Sequence, residues 1–439
     1  MPQAAVPRGH STDDDRRAAD GAGAFAGRHL GHREEPTNLR CPKAIVLSGS
    51  LGLGHEMLVR SCARVLGADG WHVESLDCMS LLGRGFGDVG QRLFDRVVRT
   101  APGVYDGLHF AHLRTGSRLA RAMDKSACAR LVPALHARLD ADPPALVLSV
   151  FATGASAAAK YKRSHPDVRT VVLCSDVTLH RLWVADGTDL FLTTSPAAAA
   201  SVLRYLPRAR VAVIPPPVRP AFFDAPSREK ARAELGLPRD EACVLVIDSG
   251  WGFGIVEGSV AAMARAGIHV LAVAGRCSTL ERRFRALAAS EPHVHPFGFV
   301  HDVPLFMAAA DAVVTLPGAT TCSEARVVGR PLLLLDVMAG HGRENLLHEL
   351  EVGGARACGP TPDDATDAVL ALLDDPRPTP RRAARFEPAF RAALADLDLE
   401  LVPPVVPAAG DPAVEGGQDH DGPGGAGAPL RQMAEATQP

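Results

Sequence analysis

KAIVLSGSLGLGH (residues 43–55) and CVLVIDSGWGFG (residues 243–254) share one form: an apolar run of strand length that breaks into a turn of alternating glycines. Such a turn hands a buried strand over to a helix. Working outward, further short β-branched runs follow at helix-length intervals: WHVESL, ALVLSV, RTVVLC, LFLTT and VAVIP after the first turn, then IHVLAVA, AVVTL and PLLLLD after the second. Apolar runs without alternation, separated by amphipathic segments, predict parallel strands covered on both faces by crossover helices. The fold class is α/β. Between the two series lies IPPPVRPAFFDAPSREKARAELGLP, whose prolines 215–217 can continue neither a helix nor a central strand. The expected organisation is therefore a tail over residues 1–40, one Rossmann-like domain over 41–218, a second over 219–402, and a Pro/Gly-rich tail over 403–439. Both tails lack periodicity and are expected to be disordered.

Bulk properties narrow the function. With 439 residues, 46% hydrophobic and 22% charged, the chain reads as globular with two domains, and a net charge of −3 gives no general reason to expect nucleic acid as a partner. Nine cysteines stand singly, mostly in apolar runs. They read as buried thiols, which points to a reducing cytoplasm and away from disulfides or a zinc site. Neither an apolar signal core nor a membrane-spanning run is evident, so a cytoplasmic protein is expected.

The chemistry is sought where strands meet helices. Glycines 49, 52 and 54 in the first turn and 250, 252 and 254 in the second let backbone N–H groups approach an anion at a helix start. Tight turn geometry alone explains them equally well, no Walker lysine follows either loop, and Asp77 is only roughly where a dinucleotide ribose ligand is sought. His55, beside a helix N-terminus, is held neutral by the dipole and suits a general base; a cap-region histidine without chemistry is the alternative. After RTVVLC come Ser175, Asp176, His180 and Trp183. They form a cleft-facing carboxylate–histidine pair, or a helix cap and a core aromatic. After AVVTL, Gly318, Ala319, Thr320 and Thr321 open a helix bearing Glu324. The segment makes an anion and ribose-diol site, or a capping box with Thr321 as N-cap. Capping leaves unexplained why the loop is so small and why AGHGREN after the next strand faces the same cleft.

Taken in order, these pieces resemble the monogalactosyldiacylglycerol synthase and MurG group of glycosyltransferases (glycosyltransferase family 28 type), over roughly residues 43–358. The resemblance rests on Gly52 to His55, SDVTLHRLW, PVRPAF, SGWGFG, Gly298–Phe299–Val300 before Asp302, and PGATTCSE. It implies a GT-B fold, two facing Rossmann-like domains with a cleft between them, and inverting transfer of a hexose from a UDP-type sugar without metal or other cofactor. It implies donor contacts from Gly250, Gly252, Gly254, Arg276, Phe299, Val300, Gly318, Ala319, Thr320, Thr321, Glu324, His341 and Asn345. His55, Asp176 and His180 are implied at the acceptor hydroxyl, with Gly52, Gly54 and Trp183 lining the acceptor site. Three departures stand out, one of them Trp251 within the second glycine loop, which is expected to narrow that site. His341 and Gly342 replace the Gln and Glu of the group's P-G-Q-E-x-x-N run, and VFATGAS replaces a T-H-P-like run that carries an acceptor-side histidine.

Residues 84–138 hold ten Lys plus Arg against four Asp, interleaved with Phe86, Leu93, Phe94, Val97, Val98, Tyr105 and Phe110. This suits contact with an anionic membrane on the inner face of the plasma membrane, or a helical layer with a solvated basic side. The leading expectation is transfer to a lipid such as diacylglycerol. Transfer to a soluble secondary metabolite, and a nucleotide-sugar binder without turnover, are the alternatives. A sugar epimerase shares the double-domain design, so fold alone does not choose.

Overall fold

The computed structural model describes residues 41–49, 53–83, 96–97, 101–247, 254–359, 361–374 and 384–397. Both predicted tails, 1–40 and 403–439, lie outside the described residues, as do Gly52, Gly250, Gly252, Trp251 and residues 84–95 and 98–100 of the basic stretch.

Two six-stranded sheets form, and every pairing is parallel. The first contains β1 (Lys43–Ser48), β2 (His72–Asp77), β3 (Leu146–Ser149), β4 (Arg169–Cys174), β5 (Leu190–Thr193) and β6 (Val211–Val213), in the order β2-β1-β3-β4-β5-β6. The second contains β7 (Cys243–Ile247), β8 (His269–Val273), β9 (Val294–Phe297), β10 (Ala312–Thr315), β11 (Leu332–Leu335) and β12 (Ala355–Cys358), in the order β12-β11-β10-β7-β8-β9. The continuous apolar runs are explained by packing on both faces. In β1, Ala44 and Val46 enter one core cluster while Ile45 and Leu47 enter another; in β7, Val244 and Val246 part from Cys243 and Leu245 in the same way. Seven of the nine cysteines are buried and all are free thiols.

The strand order reverses between β1 and β3 in the first sheet, and between β7 and β10 in the second. At such a reversal the flanking helices leave to opposite faces, and a crevice opens beyond the carboxyl ends of the two strands. The helix Leu53–Ala68 after β1 and the loop before Ala319 after β10 start at these crevices, so the fold itself explains where chemistry-bearing residues accumulate.

The proline run marks the crossing point closely. Ile214 packs in the first core, whereas Val218 and Phe222 pack in the second. At the far boundary the structure corrects the division at 402. The helix Phe386–Ala395 returns to the first domain, where Phe386, Phe390 and Leu394 bury beside Val65, Leu66 and Trp71. Each such side chain contributes about 1.5–3 kcal/mol of burial. Arg64 bonds Glu387 and Arg391 bonds Asp69 at 2.8 Å around the rim. An amphipathic helix goes where an apolar face awaits it, irrespective of chain order.

Candidate functional site

The ends of both sheets face a single cleft of about 890 Å³. On the first-domain side, the helix Leu53–Ala68 follows β1 and sets His55 under Val150, at the end of β3. His55 Nδ1 lies 2.9 Å from the Val150 carbonyl oxygen. A carbonyl only accepts, so Nδ1 carries the proton and Nε2 presents a lone pair to the cleft. Burial lowers the ring's pKa, opposed by the negative charge of Asp176. The ring is thus neutral, and Asp176 stabilises it once it takes a proton.

His180 precedes the 3-10 turn Arg181–Trp183, and its pKa is lowered to about 3 by burial and by His109. Its Nδ1 is buried without a hydrogen-bond partner among the described residues. Trp183 is 5% exposed, packs in the core with Val172 and Phe191, and offers one edge to the cleft. It is a core aromatic that also lines the cleft. Asp77, by contrast, caps the helix Cys78–Leu81 through Met79 and Ser80 N–H at 3.2 Å, which explains it without a ligand.

On the opposite side, the helix Ala319–Val328 follows β10 after Leu316, Pro317 and Gly318, with Gly318 as N-cap and no side-chain cap. Thr321 lies inside the first turn, so the capping-box alternative fails. No side chain caps the first-turn N–H groups of residues 319–321, and these residues line the cleft, the arrangement that receives an anion. Glu324, one turn on, is 6% exposed and accepts from Arg219 Nε at 3.3 Å. Burial pushes its pKa up to about 7, partly offset by Arg219. Phe299 is 37% exposed, with the Arg276 guanidinium 5.1 Å over its ring, and Arg276 also reaches across to Glu56 at 3.5 Å. Val300 lines the cleft and packs on the core behind it. Gly54 stands near Thr320, and Gly254 opens the helix Gly254–Arg265 after β7.

The AGHGREN segment is pinned to the first domain. Gly340 N–H donates to Asp106 Oδ1 at 2.6 Å, the Tyr105 hydroxyl lies 3.2 Å from His341 Nδ1, and Val177 N–H donates to Asn345 Oδ1 at 3.1 Å. Glu344 accepts from Thr178 at 2.6 Å, lies 3.0 Å from His109 Nε2, and pairs with Arg114. Gly340 is required here twice over: its φ is +64°, and a Cβ would collide with the Tyr105 ring. At its other end the helix His341–Val352 is anchored by Glu349, which accepts from buried Arg326 at 2.6 Å.

No protein-family model matches the chain. The chain is similar to a probable chloroplastic monogalactosyldiacylglycerol synthase 2 of Oryza sativa subsp. indica, at 26% identity over 52% of this chain and 48% of that one. It is also similar to the UDP-N-acetylglucosamine--N-acetylmuramyl-(pentapeptide) pyrophosphoryl-undecaprenol N-acetylglucosamine transferase of Mycobacterium bovis, at 33% over 39% of this chain and 44% of that one. It spans about half the length of the curated relatives it matches. Acinetobacter baumannii MurG superimposes with a TM-score of 0.55, covering 81% of this chain and 99% of that one at 13% identity. The fold is GT-B. Two parallel sheets facing one cleft are what that superposition shares.

Within this GT-B cleft the structure brings together His55, Asp176, His180, Trp183, Arg276, Phe299, Val300, Gly318 to Thr321, Glu324, His341 and Asn345. Asn345 is 3% exposed and spends its amide oxygen on Val177, so of its side chain the NH2 group remains for a ligand. Tyr105, His109, Arg219 and Glu56 also line the cleft and escaped sequence reasoning. For Arg219 a signal existed in PVRPAF, a linker arginine between prolines. Tyr105 and His109 sit in a stretch whose arginines drew attention to the solvent face instead.

Proposed function

We propose that this protein is an inverting glycosyltransferase that moves a hexose from a nucleotide sugar, of the UDP type, to the hydroxyl of a lipid such as diacylglycerol. The observation that carries the reading is the pairing across one cleft of a neutral histidine with its lone pair exposed, His55, and an uncapped helix N-terminus followed one turn later by a buried carboxylate, Glu324. In this reading Phe299 and Val300 hold the base, Glu324 accepts from the ribose diol, and the first-turn N–H groups of residues 319–321 meet the diphosphate. The acceptor O–H gives its proton to His55 Nε2 while its oxygen bonds the anomeric carbon. The bond from that carbon to the diphosphate breaks on the opposite face, and the nucleoside diphosphate leaves. Asp176 steadies the resulting imidazolium. His180, neutral far below pH 7, orients the acceptor and stays uncharged.

The lipid acceptor is supported by the surface at the cleft mouth. Leu113 and Met123 line the cleft, while Val104, Phe110 and Leu119 on the same group of helices are 65%, 37% and 50% exposed, with Arg118 and Arg121 beside them. Apolar residues flanked by arginines suit peripheral seating on the anionic inner face of a membrane. Among the described residues no helix is long and apolar enough to cross one. Incubation with a panel of nucleotide sugars and radiolabelled lipid extract tests the proposal. Labelled glycolipid is the expected product. Donor binding without any transfer, or transfer only to soluble acceptors, would overturn it.

A further inference from the structure

The second sheet carries another concentration of ligating atoms at the strand ends opposite the cleft. Glu241 precedes β7, His269 opens β8, and His293 and His295 flank the first residue of β9. Because β8 pairs with both β7 and β9, these side chains converge from three neighbouring strands. His269 Nε2 lies 2.9 Å from Glu241 Oε2, and His269 Nδ1 lies 2.9 Å from His295 Nε2. The His293 ring meets His269 edge-on at 4.8 Å, and one ligand atom each from Glu241, His269 and His293 fit within 4.8 Å of one another.

We propose that Glu241, His269 and His293 form a binding site for a divalent transition-metal ion of the zinc class. Two imidazoles and one carboxylate, with water completing a tetrahedron, favour Zn²⁺ over Mg²⁺ or Ca²⁺, which prefer all-oxygen shells. In the structure His269 Nε2 donates to Glu241 Oε2; an ion taking that nitrogen would replace this proton, and His269 Nδ1 would then carry the proton and donate it to His295 Nε2, which lies 2.9 Å away. A metal-ligating histidine is oriented in this way by an outer partner on its other nitrogen. The ion displaces no core packing, since all four side chains stay partly accessible or exposed. It cannot join the reaction, because β8 alone, five residues long, separates the site from the cleft by roughly 16 Å. Its effect is to fasten the starts of β8 and β9, whose far ends lead to Arg276 and Phe299.

The test uses the full chain, stripped with a chelator and titrated with ZnCl2 by calorimetry, with Co²⁺ absorption as a reporter of tetrahedral coordination. One ion per chain is expected. His269→Ala and His293→Ala should each weaken binding at least tenfold, as should Glu241→Ala, which alters an exposed position and reports even where a histidine variant does not fold. His295→Leu should cost about 10–100-fold, the usual outer-partner effect, while His295→Gln, whose amide oxygen still accepts from His269, keeps most of the affinity. A second cluster, His136, Asp140 and His165, is the internal competitor. Replacing both of its histidines should change nothing. Absence of Zn²⁺ uptake by the wild-type chain, or uptake that survives the Glu241 and His293 changes but is lost with His136 and His165, overturns the assignment.

Discussion

Glu324→Gln separates what a buried acid does for the ligand from what it costs the fold. The folded pKa of about 7 stands roughly 2.5 units above the ordinary 4.5, with burial the dominant cause. At about 1.36 kcal/mol per unit, keeping this group ionised at pH 8 costs the folded state on the order of 3 kcal/mol. The sign follows from proton uptake. Between pH 4.5 and 7 the folded state binds more protons than the unfolded one, so the group's contribution is fully present below 4.5 and lost as pH rises through 7. The glutamine variant carries no charge to bury but weakens the bond from Arg219 at 3.3 Å, a loss of about 1 kcal/mol. Net stabilisation of about 2 kcal/mol is expected at pH 8, shrinking towards zero or below at pH 5. Urea denaturation at the two pH values measures it. In the same variant the ribose diol loses a charged acceptor, so nucleotide affinity at pH 8 should fall by about 1.5–3 kcal/mol, read by calorimetry with UDP. A variant less stable than wild type at pH 8 would refute the burial argument. Unchanged UDP affinity would remove Glu324 from the donor site.

Three further outcomes are expected. His55→Ala should lower kcat about 10²–10⁴-fold with donor KM within a few-fold, and a kcat within threefold of wild type in a nucleotide-release assay would exclude His55 as the base. His180, lowered to about 3, is a group whose stabilising contribution is present above pH 6.5 and lost as pH falls towards 3. Urea midpoints should therefore drop on acidification below 6.5, and His180→Phe should flatten that drop. Gly340→Ala, which forces a Cβ into the Tyr105 ring at φ +64°, should cost about 1–3 kcal/mol of stability, with thermal melting as the measure. An alanine variant that melts with wild type would mean that the AGHGREN segment is not held against the first domain.

The strands legible in the sequence were those that keep an apolar or β-branched run, the edge strands β2 and β6 of the first sheet included. Ten of the twelve announced themselves as apolar runs, whereas β9 (VHPF) and β12 (ARAC) did not. Both are edge strands. An edge tolerates a proline or a charge because one side makes no ladder bonds, so the pattern that reveals a central strand is absent. The helix Phe386–Ala395 was legible as a helix but not as a member of the first domain, since chain order says nothing about which core an apolar stripe meets.

The site was legible in proportion to how much of it hangs on strand ends. His55, Asp176, Gly318 and Glu324 follow strands directly, and topology alone carries them to the cleft. Tyr105, His109 and Asp106 hang on helices between β2 and β3, where no strand order fixes their destination. Their partners, His341, Glu344 and Gly340, lie about 235 residues away. This also explains how AGHGREN reads once folded. Gly340, Glu344 and Asn345 are committed to Asp106, to the Thr178, His109 and Arg114 group, and to Val177. Arg343 pairs with Asp106 and Asp336 and does not line the cleft, so of the segment's side chains His341 and the Asn345 amide nitrogen are left for the proposed donor sugar, and the Tyr105 hydroxyl lies 3.2 Å from His341 Nδ1. On the proposed reading, sugar recognition is coupled to first-domain residues that no motif marks, and Tyr105→Phe should shift donor choice among nucleotide sugars more than it shifts affinity for UDP alone. Equal changes in both, measured by competition between two nucleotide sugars, would show that Tyr105 serves the domain contact only.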